Sequence, residues 1–260
     1  MIVYFSLKFI KIMKKLNLIY LLIGAIFFGC QLNPSLSKSK LDIDRLSLID
    51  EMIEKAIKKN KIPGAVALIA KDNEVVYKKA FGVKDPETGE KLKTDDIFRI
   101  ASMTKAITSL GIIMLWEKAM IYSLDDPIDL YIPEFRTLKV LDNFNKKDST
   151  YTSKPTNKKI TIRNLLTHTS GMGYDEIGSS EIRAIIFKEK QKFMRNSVIA
   201  FSDEDVTIGE TVRRLAKLPL EFEPGVKWNY SNSIDVLGYL IEIVSGKTLD
   251  EFFKDEIFTP

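Results

Sequence analysis

The stretch from Phe98 to Trp116 constrains this chain more than any other part of its sequence. Alanine, methionine, isoleucine, leucine, glycine and tryptophan fill most positions after Ala101. A helix that is apolar on every side has to be buried, so we expect this stretch to form an internal helix. Two polar side chains, Ser102 and Lys105, stand at its start. The sequence therefore predicts that two polar side chains lie at the N-terminus of a buried helix.

The spacing of Ser102 and Lys105 is typical of an activated nucleophile. Residues three positions apart are neighbours on a helix surface, so the Lys105 amine can approach the Ser102 hydroxyl. A serine reacts at neutral pH only when a base lies within hydrogen-bonding reach, and an amine kept neutral by desolvation can be that base. Free N–H groups at the helix start favour negative charge beside Ser102. The alternative is a solvated serine and lysine pair, which the apolar helix argues against.

Tyr230 and Asn232 form a second candidate cluster, just before another apolar stretch. A nearby ammonium lowers the pKa of a phenol, so Tyr230 beside Lys105 could act as general base and acid. Asn232 could hold the lysine or a substrate amide through its two-sided hydrogen bonding. Tyrosine and asparagine are also common before helices for structural reasons alone, and that interpretation stays open.

His168 is the one histidine of the sequence, and Cys30 is the one cysteine. A Ser-His-Asp mechanism would therefore depend on His168. It lies in a turn that ends a short predicted helix, where an imidazole more often caps backbone groups, and we do not expect it to be the base. One histidine and one cysteine are too few for a usual zinc site, so we expect no metal and no cofactor.

The composition indicates a globular protein without a nucleic-acid surface. Hydrophobic residues make up 45% of the 260 residues, which is enough for a packed core. The 39 basic and 35 acidic residues are intermixed, with no long block of one sign. We expect a small-molecule or peptide substrate as the partner and no nucleic acid. The oligomeric state is not set by these features.

The first 30 residues carry the features of an export signal. Lysines precede an eleven-residue apolar run from Leu18 to Phe28, which fits a signal-peptide core and is too short to span a bilayer. Cys30 follows a glycine there and resembles the lipidation site of bacterial lipoproteins. A buried cysteine and an uncleaved anchor are the alternatives, and Met13 is a second candidate start. The prediction is an exported cell-envelope protein, membrane-anchored through Cys30, in the periplasm or on the outer surface.

The rest of the sequence reads as a linker at residues 31–40 and one domain at residues 41–260. The linker is rich in serine, lysine, asparagine and proline. In the domain we expect an amphipathic helix followed by a hairpin of two strands. These elements are predicted at residues 41–60, 65–70 and 75–82, with further helices at 161–167, 206–218 and 234–245. Residues 143–159 read as a polar surface excursion, and residues 172–206 are not assigned.

Three motifs in this order resemble the β-lactamase-related serine hydrolases. They are Ser102-Met103-Thr104-Lys105, His168-Thr169-Ser170-Gly171 and Tyr230-Ser231-Asn232. This family includes class C β-lactamases, D-alanyl-D-alanine carboxypeptidases and esterases, and Ser-x-x-Lys is also the motif of related β-lactamases and penicillin-binding proteins. The similarity runs from about residue 45 to the end of the chain.

The resemblance implies an α+β fold of the β-lactamase/transpeptidase type, with an antiparallel sheet flanked by helices and a helical subdomain. It implies that Ser102 is the acylated nucleophile, that Lys105 and Tyr230 transfer the proton, and that Asn232 binds and positions the substrate. The motif that contains His168 would be structural. Tyr230 stands where class A β-lactamases have serine, which points to the class C and esterase branch.

The family's third motif, a Lys-Thr-Gly or His-x-Gly strand that supplies an oxyanion-hole N–H, has no counterpart before Pro260. We therefore expect that the C-terminal strands are missing and that the chain is a fragment. The expected function is hydrolysis of an ester or a D-amino-acid peptide through an acyl-enzyme, ranked above β-lactam hydrolysis. The alternative is a weakly active or inactive remnant that binds cell-wall-like ligands or a partner chain, because losing one oxyanion donor typically costs about 100- to 1000-fold in rate.

Overall fold

The computed structural model describes residues 42, 44–174, 177–193 and 206–259. The predicted export segment with Cys30 and the predicted linker lie outside these residues. The chain divides into two compact units, Met1–Phe98 and Arg99–Pro260. Within the described ranges, no helix combines the length and the apolar character needed to cross a bilayer.

The first unit combines one helix with a β-hairpin. Helix α1, Ser47–Lys58, follows a short 3-10 turn, and strand β1, Gly64–Lys71, pairs antiparallel with strand β2, Glu74–Gly82. Asp72 and Asn73 connect the strands with φ angles of 52° and 63°. Positive φ at both central residues is the hairpin turn whose twist matches that of its strands. The predicted helix and hairpin are confirmed.

The Asp50 carboxylate joins helix α1 to the hairpin, and each of the two elements also buries an apolar side chain. Asp50 accepts a hydrogen bond from Tyr77 and forms a 2.6 Å ion pair with Lys79, both on β2. Ile53 of α1 and Phe81 of β2 are buried. An exposed ion pair contributes little to stability, so the apolar residues stabilise this unit more than Asp50 does.

The second unit is mainly helical and contains the candidate site. Its helices are α2 (Thr104–Glu117), α3 (Ile162–Leu166), α4 (Ser180–Phe193), α5 (Ile208–Leu215), α6 (Ser233–Ser245) and α7 (Leu249–Phe253). Shorter segments are the 3-10 turns Ala101–Met103, Ile128–Leu130 and Pro133–Thr137, and a π-helical turn, Lys254–Phe258, after α7. The helices predicted at 161–167, 206–218 and 234–245 are therefore confirmed as α3, α5 and α6, and residues 180–193 supply α4 within the unassigned stretch.

A second hairpin replaces the predicted surface excursion at residues 143–159. Strand β3, Lys139–Phe144, pairs antiparallel with strand β4, Tyr151–Pro155. The Leu141 N–H donates to the Leu220 carbonyl at 2.8 Å, which ties the hairpin to the segment after α5. The polar residues of β4 gave no apolar alternation, so the sequence did not reveal a strand whose stability comes from backbone pairing.

Helix α6 is the centre of the core of the second unit. Val236, Leu237, Leu240 and Ile241 on this helix are fully buried, and α2, α3, α5 and α7 pack around them. Burying a side chain of this size contributes about 1.5–3 kcal/mol. The helix ends at Gly246, whose φ of 71° is the left-handed conformation typical of a helix C-terminus.

Helix α2 is only half buried, which corrects the prediction of a fully internal helix. The face of α2 that includes Gly111 and Ile112 is buried, and an added Cβ at Gly111 would lie 2.9 Å from Ile241 of α6. Leu110 and Ile113 on the opposite face are 45% and 38% exposed. An apolar surface predicts burial only when another element packs against it, and in the described residues one face of α2 has such a partner.

Candidate active site

Ser102 lies in the 3-10 turn that leads into α2. The turn begins at Ala101, which has a φ of 44°, a conformation that residues other than glycine rarely adopt. Ser102 is exposed, and Lys105, on the first turn of α2, is half-buried. Unusual backbone conformations often occur beside functional groups, and here one precedes the predicted nucleophile directly.

Tyr230 is the residue that meets Ser102. The Ser102 Oγ and the Tyr230 hydroxyl are 2.8 Å apart, which is a hydrogen bond between residues 128 positions apart in the chain. The Lys105 Nζ lies 5.0 Å from the centre of the Tyr230 ring. The structure therefore brings Ser102, Lys105 and Tyr230 together. The sequence predicted an approach of Lys105 to Ser102, whereas the hydroxyl in contact with Ser102 is that of Tyr230.

The surroundings of Tyr230 favour its ionised form. Burial raises the pKa of the phenol, whereas its hydrogen bonds with Lys105 and Ser102, and the charge of Lys105, lower it. The hydrogen bonds and the Lys105 charge together outweigh the effect of burial, so the pKa of Tyr230 lies below the ordinary value of 10. A tyrosine that loses its proton more readily can accept one from Ser102, which is the role expected of a general base.

Two chain segments, residues 168–173 and 221–232, run beside each other and carry Tyr230. Before the first segment, Thr161 and Asn164 form a reciprocal capping box that fixes the start of α3. Backbone hydrogen bonds join the segments at four positions. They run from Asn229 N to His168 O at 2.9 Å, from Gly225 N to Thr169 O at 2.8 Å, from Glu221 N to Gly171 O at 2.7 Å and from Asn232 N to Gly173 O at 3.3 Å.

Gly171 is required for this close approach. Its φ is +80°, and a Cβ at this position would lie 2.1 Å from the carbonyl oxygen of Phe222. No side chain can be accommodated at that distance without moving the backbone, so glycine is the residue that allows the two segments to pair.

His168 lies against Tyr230. The two rings stack with centres 4.9 Å apart and planes at 23°, and Nδ1 of His168 accepts a hydrogen bond from the Ser231 N–H at 3.2 Å. Burial and the charge of Lys105 both lower the pKa of the imidazole. The expectation that His168 is not the base agrees with this geometry, because its Nδ1 faces the backbone of Ser231 and Tyr230 is the residue bonded to Ser102.

Three buried serines extend the same network. Ser170 Oγ lies 2.8 Å from Ser233 Oγ, and Ser233 Oγ lies 2.7 Å from Ser231 Oγ. All three side chains are fully buried. Buried hydroxyls without partners would cost stability, so their mutual hydrogen bonds both satisfy them and fix the start of α6 to the His168 segment.

Asn232 is buried at the start of α6 and faces Asp235. Its Nδ2 donates to Asp235 Oδ2 at 3.4 Å. The role predicted for Asn232 in binding the substrate or Lys105 stays a prediction. Asp235 also acts on the site, because its charge raises the pKa of Tyr230. Asp235 and Lys105 line one cleft of about 180 Å³ between α2 and α6.

The sequence reasoning missed three residues around Tyr230 and His168. Tyr174 meets its ring edge-on at 5.5 Å, Trp228 meets the edge of His168 at 6.2 Å, and Asp235 acts through its charge. The spacing of Asn232 and Asp235 on a first helical turn was a usable signal for the last of these. In the part of the chain that the structure describes, no group of three or more His, Cys, Asp or Glu side chains is arranged to hold a metal ion.

Comparison with known proteins gives a consistent result. The family model described as Beta-lactamase matches residues 49–260. Esterase EstB of Burkholderia gladioli is 34% identical over 225 residues, which is 83% of this chain and 50% of EstB. Lovastatin esterase of Penicillium rubens is 31% identical over 215 residues, which is 82% of this chain and 50% of that esterase. The chain spans about half the length of the curated relatives it matches.

A solved structure agrees with these relatives. EstCE1, described as a hydrolase with promiscuous acyltransferase activity, superimposes with a TM-score of 0.69 at 26% identity. The match covers 85% of this chain and 52% of EstCE1. This likeness, together with the mixed helices and antiparallel strands, confirms the fold class that the three motifs implied.

Proposed function

Because the chain belongs to the β-lactamase family, we propose that it is a serine hydrolase that cleaves a carboxylic ester through an acyl-enzyme at Ser102. The observation that carries this proposal is the 2.8 Å hydrogen bond between Ser102 and Tyr230 beside Lys105. The two esterases that share 34% and 31% identity with the chain favour an ester over a D-amino-acid peptide. Hydrolysis of a β-lactam ranks below both, because a shared fold does not set the substrate.

Acylation of Ser102 is the first step of the proposed reaction. The Tyr230 phenolate, stabilised by the Lys105 ammonium, accepts the Ser102 proton while Oγ attacks the ester carbonyl carbon. In the resulting tetrahedral intermediate, the carbonyl oxygen carries the negative charge. Tyr230 then donates the proton to the leaving oxygen as the ester C–O bond breaks. An alcohol leaves, and the acyl group stays on Ser102.

Deacylation reverses the roles of the same groups. A water molecule gives a proton to the Tyr230 phenolate, and its oxygen attacks the acyl carbon. The bond between the acyl carbon and Ser102 breaks, Tyr230 returns the proton to Ser102 Oγ, and the carboxylic acid leaves. Asn232 is proposed to orient the bound substrate at the start of α6.

Covalent labelling tests the proposed nucleophile. The purified chain is treated with a fluorophosphonate, and the modified peptide is mapped by mass spectrometry. We expect one adduct, on Ser102, and we expect Ser102→Ala to abolish it. Ser109→Ala, on the same helix, is the matched control and should label at the wild-type rate. An adduct on a different serine would contradict the assignment, and a folded chain that does not react would favour the binding remnant.

We also propose that the domain is exported and lipidated at Cys30, which rests on the lysine-rich start, the apolar run and the glycine before Cys30. Cells that express the chain are grown with radiolabelled palmitate. Label should be incorporated into the protein, and Cys30→Ala should remove it, because the sequence contains one cysteine. Label retained by the variant would rule out lipidation at this residue.

A further inference from the structure

We propose that His168 is a positioning residue for the reaction: as a neutral imidazole with Nδ1 as acceptor, it holds Tyr230 in reach of Ser102. This inference rests on the proposed function and deepens it, because it assigns the orientation of the general base to a residue that does not contact the substrate. It also changes the role of the motif that begins at His168, which the family resemblance left as structural.

The ring of His168 restricts where the ring of Tyr230 can lie. The two are stacked at 4.9 Å, and Tyr174 contacts Tyr230 edge-on at 5.5 Å. The hydroxyl of Tyr230 is thereby directed to Ser102, which lies 2.8 Å away. Aromatic contacts of this kind are orientation-dependent, so together they favour one orientation of the Tyr230 ring over its alternatives.

The tautomer of His168 follows from its backbone partner. The Ser231 N–H can only donate, so Nδ1, which lies 3.2 Å from it, has to be the acceptor and carries no proton. The proton of the neutral ring is therefore on Nε2. Since Ser231 is the residue after Tyr230, this hydrogen bond holds the backbone of the base as directly as the stack holds its ring.

The buried serines supply Nδ1 of His168 with a second hydrogen-bond donor, the Ser231 hydroxyl. The Met172 N–H donates to Ser170 at 3.2 Å, so the Ser170 O–H is satisfied when it donates onward to Ser233. Ser170 can then donate to Ser233, Ser233 to Ser231, and Ser231 to Nδ1 of His168, at 2.8, 2.7 and 3.3 Å. Every hydroxyl donates once and accepts once in this direction. The series begins at one backbone N–H and ends at the imidazole.

A proton on Nδ1 would disrupt both ends of this arrangement. The Ser231 N–H would face another donor. If the hydroxyls reversed, Ser170 would accept from both Met172 and Ser233, and its own O–H would lose Ser233 as its acceptor. The titratable groups around the imidazole are the Lys105 ammonium of α2 and the stacked Tyr230 phenol, with the Tyr174 phenol next to the latter. Burial and the Lys105 charge lower the pKa of His168, which keeps the ring neutral near pH 7.

The backbone at His168 offers a matched pair of variants. Its φ is 54°, a left-handed conformation that asparagine adopts more readily than most residues. His168→Asn supplies an amide oxygen close to the position of Nδ1 but removes the stacked ring. His168→Phe keeps a ring and removes the acceptor. The exposed Thr167→Ala is the neighbouring control.

The rate of Ser102 labelling by a fluorophosphonate between pH 5 and 9 tests the proposal. At pH 8 we expect His168→Phe to label roughly 10- to 100-fold more slowly, because the Ser231 N–H loses its acceptor. His168→Asn should recover part of that loss, because it restores the acceptor without the stacked ring. Below pH 6.5 the wild-type rate should fall more steeply with pH than that of His168→Asn. Equal pH profiles for the two, or wild-type labelling by His168→Phe, would overturn the proposal.

A second measurement needs no variant. With one histidine in the sequence, 15N-histidine labelling of the wild-type chain gives the NMR signals of a single imidazole. We expect the Nε2–H tautomer, and an Nδ1–H tautomer at pH 8 would overturn the proposal even if a variant failed to fold. If Ser102 of the wild type did not label, the proposed function would fail, and the tautomer would still decide whether His168 holds Tyr230 as described.

Discussion

The two sides of the site are held in different ways. Hydrogen bonds hold the base side, which consists of residues 168–174 and 229–233. The packing of one helix holds the nucleophile side, which consists of residues 101–105. On the base side, Tyr230 is surrounded by buried serines, a stacked imidazole and backbone hydrogen bonds between two chain segments. On the nucleophile side, Ser102 is exposed, and α2 is fixed through residues further along, such as Gly111 and Ile112. The comparison indicates that the base is preorganised locally, whereas the nucleophile depends on the core.

The largest effect should come from removing the one contact that joins the two sides. Tyr230→Phe keeps the ring and its stack on His168 but removes the hydroxyl that is bonded to Ser102. We expect Ser102 to label about 100- to 10,000-fold more slowly, the usual contribution of a general base, with an unchanged melting temperature. The same substitution at the exposed Tyr122 should change neither quantity. Wild-type labelling by Tyr230→Phe would mean that Lys105 alone activates Ser102.

The dependence of the nucleophile on the core can be tested with two adjacent residues of α2. Ile112 is fully buried and Ile113 is 38% exposed. Ile112→Ala should lower the free energy of unfolding by about 2–5 kcal/mol, and Ile113→Ala should lower it by much less. Chemical denaturation measures both. Equal losses would show that the outer face of α2 is covered in solution.

The preorganisation of the base side can be tested with two glycines that share a positive φ. Gly171 has a φ of +80° and no room for a Cβ, whereas Gly225 has a φ of +79° and its nearest neighbour atom is 3.7 Å away. In both variants the positive φ destabilises the alanine backbone. In Gly171→Ala the added Cβ also forces the two segments apart. We expect Gly171→Ala to lose about 1–3 kcal/mol more than Gly225→Ala in denaturation. Similar losses would indicate that the segments can separate freely.

The smallest effect should appear in the pH dependence of stability. The pKa of His168 is below 6.5 in the folded chain and is ordinary in the unfolded chain. Above pH 6.5 the ring is neutral in both states. As the pH falls below 6.5, the unfolded chain binds the proton first, so stability falls until the pH passes the folded pKa, by at most about 1.4 kcal/mol per pH unit. The melting temperature of His168→Asn should not show this fall in stability below pH 6.5. The same pH dependence in the wild type and in His168→Asn would contradict the expectation.

Local patterns predicted much of the fold and of the site. The amphipathic pattern of α1 and the pairing of the first two strands each depend on a short stretch of sequence, and the structure confirms both. The grouping of Ser102, Lys105 and Tyr230 was predicted from motif order. What the sequence did not reveal depends on distant partners. The β3–β4 hairpin relies on backbone pairing between polar strands, and the stack of His168 on Tyr230 joins residues that are far apart in the chain.

The separation of the two paired segments also determines when the site forms during folding. His168 and Ser231 are 63 residues apart and Ser102 and Tyr230 are 128 apart, so their contacts cannot form until long loops have closed. Contacts between distant residues form slowly. A chain in which these contacts have not yet formed has no base to activate Ser102. Reactivity of Ser102 then reports that its contact with Tyr230 has formed, and the hydroxyl stays inert on incompletely folded molecules.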